Sequence, residues 1–143
     1  MGRIVVGVDG SASSKKALRW AADEAERRGE ALEIVLAWDN PFRDMWLPSD
    51  PPGTDSLAHL RAGLERTVSA VLGEEPSVKV DTLVVEGHAG QVLVDHARGA
   101  DLLVVGSRGH GGLAASFLGS VSFNCAAHSP CPVVVVRGPA PNG

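Results

Sequence analysis

A chain of 143 residues with a formal net charge of −4 and only 4% aromatic residues has the size of a single domain, 1–143, and can bury a core without disulfide or metal staples. Two cysteines fall far short of the density of a secreted disulfide scaffold, and an acidic chain with no basic stripe is a poor grip for nucleic acid. The opening MGRIVVGVDGS is too short in apolar residues for a signal sequence and no run approaches the roughly 18 of a membrane span, so a cytoplasmic protein with free thiols and no membrane partner is expected.

The first strand is predicted over Ile4 to Val8. The segment SASSKKALRWAADEAERRG follows, with Ala17, Leu18, Ala21, Ala22 and Ala25 spaced by threes and fours. Ser11 to Ser14 offer N-caps and Gly29 stands where a C-cap glycine belongs, so this is a helix. Leu32 to Trp38 reads as the second strand. NPFRDMWLPSDPPGT, with four of the nine prolines, then reads as an irregular loop in which Met45 and Trp46 are candidate covers for a pocket. A helix over about Ser56 to Leu72, a strand over Val78 to Val85 and a helix over about Gly90 to Arg98 come next. Leu102 to Val105 is a strand, a helix is expected after Gly119 that stops before Pro130, and Val133 to Val136 is the last strand. Strands apolar on both faces, alternating with helices, predict an α/β fold: an open five-stranded parallel sheet, Rossmann-like, with helices on both faces and ligands at the carboxyl ends of the strands. The tail GPAPNG is expected to fray.

All seventeen carboxylates lie at or before Asp101; residues 102–143 carry Arg108 and Arg137 and no acid. Within that tail lies GSRGHGGLAASFLGS, Gly106 to Ser120, with five glycines in fifteen residues. Glycine is costly to order, so such a run serves a tight turn, a positive φ or the close approach of a ligand, and here no neighbouring carboxylate repels an anion. A P-loop fails, because no Lys follows a glycine. Gly109, Gly111 and Ala114 satisfy GxGxxA, but the acid that would hold a ribose about 20 residues later is absent, since position 129 is Ser.

The third pattern is Gly106, two residues, Gly109, nine residues, Gly119 and Ser120. With this G-x2-G-x9-G-S spacing the chain resembles the universal stress protein family in its ATP-binding branch, and IVVGVDGS, ALRWAADEAERRG and HSPCPVVVVR are similar to that family in order along the chain. The resemblance implies an adenine nucleotide, ATP or ADP or AMP, with or without Mg2+, and a fold like the adenine nucleotide alpha hydrolases. It implies a nucleotide-dependent stress-response regulator whose ATP hydrolysis is at most slow, with no catalytic residues assigned. Gly7 and Asp9 would meet the nucleoside end and Ala37 the adenine through its backbone; Leu36 stands where a His is common, which leaves that backbone contact intact. Val105, Gly106, Arg108, Gly109 and His110 would line the phosphate loop. Gly119, Ser120, Val121 and Ser122 would open the next helix, whose unpaired N–H groups and dipole cradle phosphate without a Lys.

Each assignment has a plainer alternative. Asp9 suits an Asx-turn or helix cap, Arg108 and His110 a solvated face, and the glycine loop a flexible connector. Cys125, His128 and Cys131 form CxxHxxC, but three soft ligands interrupted by Pro130 do not close a zinc site, so no metal is expected. His59, His88 and His96 read as surface or capping residues. Val133, Val134, Val135 and Val136 form an apolar strand that no Lys or Glu guards, and the resemblance implies a homodimer paired through it. The competing functions are a reductase using NAD(P) on the GxGxxA loop and an interaction module without nucleotide.

Overall fold

The computed structural model describes residues 2–38, 54–107 and 119–138. The loop with Met45 and Trp46, the centre of the glycine loop with Arg108, Gly109 and His110, and the tail beyond Gly138 lie outside the described residues. Five strands, β1 (Arg3–Gly7), β2 (Ala31–Trp38), β3 (Val80–Glu86), β4 (Leu102–Gly106) and β5 (Val133–Val136), alternate with four helices. These are α1 (Ala12–Arg28), α2 (Thr54–Leu72), α3 (Ala89–His96) and α4 (Ser120–His128).

The order β3-β2-β1-β4-β5 is parallel throughout. The chain winds outward from β1 to β3, crosses to β4 and winds outward the other way, so right-handed crossovers put α1 and α2 on one face and α3 and α4 on the other. The period of two sorts the strand residues accordingly. Ile4, Val6, Leu32, Ile34, Leu102 and Val104 pack under α1 and α2, with Ala17, Leu18, Ala21 and Leu64. Val5, Val35, Leu103 and Val105 pack under α3 and α4, with Leu93 and Cys125. Ile4, Val5 and Val6 are all 0% exposed, which is why a central strand must be apolar at consecutive positions.

α1 has the ends its sequence announces. Ser11 Oγ accepts the Ser14 N–H, and Gly29, at φ +67°, donates its N–H to the last turn. β3 starts at Val80, two residues later than its apolar run suggests, and extends to Glu86. Among the described residues it pairs only with β2, whose register sets Leu32 opposite Val80 and Trp38 opposite Glu86, so the ladder begins at Val80 and not at Val78. α3 ends at His96 rather than Arg98. There Arg3 Nη2 donates to the His96 and Arg98 carbonyls at 3.0 and 2.9 Å, tying the turn to β1. His96, read from sequence as a surface residue, is half-buried, its Nδ1 lying 3.0 Å from Glu33 Oε1 on β2. Arg3 Nε lies 3.2 Å from the other oxygen of that carboxylate, an ion pair without hydrogen-bond alignment.

Candidate functional site

The winding reverses between β1 and β4. No helix can cover the carboxyl ends of two adjacent strands whose connections leave in opposite directions, so a crevice opens there. In this chain Gly7 and Gly106 end those two strands, and the first turns of α1, α3 and α4 close around them.

The crevice has a cavity volume of about 60 Å³. It is therefore a small slot. Gly7, Asp9, Ala37 and Val105 line it, as do Gly106, Gly119, Val121 and Ser122. Six of these eight come from β1, β2, β4 and α4; Asp9 follows β1 and Gly119 caps α4. Of the sequence-predicted residues that are described, Ser120 alone is not part of the lining, although it is the first residue of α4.

Five further lining residues were not singled out in the sequence: Val8, Ser14, Val35, Ala89 and Leu93. Val35 was discoverable as the neighbour of Ala37 two positions along the same strand, on the same face. Ala89 and Leu93 carry no local signal, because α3 reaches the slot only through packing.

The apolar wall is made by Val35, Ala37, Val105 and Leu93. Gly7 lets Leu93 into place: a Cβ there would lie 2.6 Å from Leu93 Cδ1 and 3.1 Å from Cδ2. Gly106 serves a different need. A Cβ there would meet Ser13 at 2.6 Å from Oγ and 2.7 Å from the carbonyl carbon, so it admits the backbone of α1.

Polar groups are fixed by the ends of the helices. Gly119, at φ −67° and ψ 163°, is the N-cap of α4, and the first helical bond runs from Phe123 N–H to Gly119 O at 2.9 Å. The N–H groups of Ser120, Val121 and Ser122 are thus without intrahelical acceptors, aligned with the positive end of the helix dipole. The Ser122 hydroxyl, buried, donates within the protein, to Ser107 O at 3.1 Å and Gly119 O at 3.0 Å. Ser14 likewise donates to Ser11 O at 3.0 Å while accepting the Asp9 N–H at 3.3 Å. These hydroxyls are engaged within the protein and brace the slot.

Ser107 holds the neck of the glycine loop. Its carbonyl accepts Gly119 N–H at 2.7 Å, and its own N–H donates to Val136 O at 2.8 Å. Asp9 is exposed at the mouth, and its Oδ1 accepts Ser11 N–H at 2.9 Å, an Asx-turn of the kind its position in VDGS suggests. Cys125 is buried on the inner side of α4, and burial pushes its thiol up to about 11; among the described residues no three His, Cys, Asp or Glu side chains are grouped as metal ligands. No helix among the described residues is long and apolar enough to cross a membrane.

A doubly wound parallel sheet with a crevice at its switch point, bordered by helix N-termini, defines an α/β protein of Rossmann-like architecture. The chain belongs to the universal stress protein family, whose family model matches residues 1–137. It is 37% identical over 140 residues to the universal stress protein Rv2624c of Mycobacterium tuberculosis, covering 96% of this chain and 48% of that one. The chain thus spans about half the length of the curated relatives it matches. A universal stress protein solved in complex with cAMP is 31% identical, with a TM-score of 0.66 over 95% of this chain and 96% of that one. The solved protein MJ0577 shares the fold, with a TM-score of 0.82 at 22% identity over 97% of both chains.

Proposed function

We propose that this chain binds an adenine nucleotide, ATP, ADP or AMP, in the slot between β1 and β4, and acts as a nucleotide-dependent regulator rather than a catalyst. The observation that carries the reading is convergence. Residues as far apart in sequence as Gly7, Ala37, Gly106 and Val121 line one small slot with an apolar wall, which ends at the open N-terminus of α4.

The physical assignment follows the gradient of polarity. The base enters between Ala37, Val35 and Leu93, where edge contacts fall on backbone groups. The ribose lies by Gly7 and Asp9, whose carboxylate accepts from its hydroxyls. The phosphates lie against Gly119, Ser120, Val121 and Ser122 and run toward Arg108, Gly109 and His110, with Gly106 and Val105 beneath. Mg2+ would travel with the phosphates as part of the ligand. The related protein that was solved with cAMP supports an adenine nucleotide as the ligand class.

Hydrolysis is at most slow under this reading, because binding through backbone donors stabilises the ground state and positions no base for water. The cytoplasm is the compartment, and a second copy pairs along β5. Heating the purified chain and identifying the released molecule by mass spectrometry, followed by calorimetric titration with ATP, ADP, AMP and NADH, tests the proposal. A stoichiometric adenine mononucleotide supports it; binding of NADH with no binding of mononucleotides overturns it.

A further inference from the structure

A second, wider concavity lies on the opposite face of the sheet, between α1 and α2. Its volume is about 510 Å³. Its floor is apolar, built by Val8, Leu36, Leu60 and Leu64, of which Val8 and Leu64 belong to the buried core. Its rim carries Lys15 from α1 and Arg66 and His59 from α2, against one carboxylate, Asp9, which is already bonded to the Ser11 N–H. The Lys15 and Arg66 side chains are exposed, and neither makes an ion pair with a described residue.

The groove also accounts for Gly63. A glycine in the middle of a long helix costs about 1 kcal/mol relative to alanine. Yet a Cβ at Gly63 would meet nothing closer than Arg66 Nη2 at 3.7 Å, and φ there is not positive. Neither clash nor backbone strain among the described residues calls for a glycine. Gly63 lies in the wall of the groove, where a large side chain would take up its space.

We propose that this groove is a second binding site, for an amphipathic anion: an aliphatic chain on the leucine floor with a carboxylate between Lys15 and Arg66. Size and charge both fit. A concavity of this size lies within the range of small-molecule sites, and an apolar floor with a few convergent polar groups is their usual composition. Two cations from different helices give an anionic head group charge-assisted bonds that a neutral or cationic one lacks. The site is independent of the nucleotide reading, because it lies on the other face and shares only Val8 and Asp9 with the slot.

Dodecanoate, dodecyltrimethylammonium and acetate, each titrated calorimetrically below its micellar concentration into the full chain, provide the test. Dodecanoate is expected to bind once per chain and the other two to bind at least about tenfold more weakly. Gly63→Leu, which fills the groove, and the double variant Lys15→Gln with Arg66→Gln, which is confined to exposed side chains, should each weaken dodecanoate by about tenfold or more. Equal binding of the cationic amphiphile, undiminished binding in both variants, or no binding of dodecanoate to the unaltered chain overturns the proposal. The last outcome is also what occupation of the groove by the protein's own chain would produce.

Discussion

A Cβ placed on Gly106 would lie 2.6 Å from Ser13 Oγ and 2.7 Å from the Ser13 carbonyl carbon, so β4 ends in glycine because the first turn of α1 runs across it. Gly106→Ala is therefore expected to lower stability by about 1–3 kcal/mol without any ligand present, as overpacking against a backbone does. Denaturant unfolding of the ligand-free protein measures it. A loss of nucleotide affinity with unchanged stability would show that the glycine serves the ligand instead.

Gly7 is the contrasting case, since its Cβ would meet the flexible end of Leu93. Gly7→Ala should leave folding nearly intact but push Leu93 into the slot, weakening ATP by about tenfold, worth about 1.4 kcal/mol. Adding Leu93→Ala should restore the room and most of the affinity. Non-recovery in calorimetry of the double variant would mean that Leu93 is itself a contact the base requires.

Ser122→Ala removes the hydroxyl that bridges Ser107 and Gly119 at the neck of the glycine loop. A cost of about 1 kcal/mol in stability is expected, as for a buried hydrogen bond, together with weaker nucleotide binding because α4 loses its anchor to β4. Thermal melts with and without ATP separate the two effects. Ser14 tests the same idea at α1.

Cys125 is buried and its thiol is raised from an ordinary 9.0 to about 11 by desolvation. The folded protein keeps this proton where the unfolded chain loses it, so the contribution to stability is complete below pH 9.0 and is lost as pH rises through about 11. Alkylation at pH 8 should modify Cys131, which is partly exposed, and reach Cys125 only under unfolding conditions. Mass spectrometry of the alkylated peptides decides this.

β5 is an edge strand, and its bonds to β4 involve Pro132 O and Val136 O, so alternation along the strand turns the backbone groups of Val133 and Val135 outward. Val135→Pro thus deletes an outward N–H while sparing the ladder to β4. The unaltered chain is expected to sediment as a dimer and this variant as a monomer with the same circular dichroism. A monomeric unaltered chain at micromolar concentration refutes pairing through β5.

The sequence by itself determined the five strands, four helices and their parallel class, because a strand covered on both faces must be apolar at consecutive positions and a helix facing one layer must repeat at three and four. The resemblance of its motifs to the family also pointed to Gly7, Asp9, Ala37, Gly119 and Val121, which the fold brings to one slot. The tertiary structure decided the rest. Strand order put Gly7 beside Gly106 and left β5 at the edge, and pairing with β2, not local pattern, fixed where β3 begins. Packing brought Leu93 and Ala89 from α3 into the slot and opened the groove at Gly63. Such contacts depend on which surfaces meet across the sheet, and that is settled by burying both faces at once, a property of the whole chain that no short window of sequence carries.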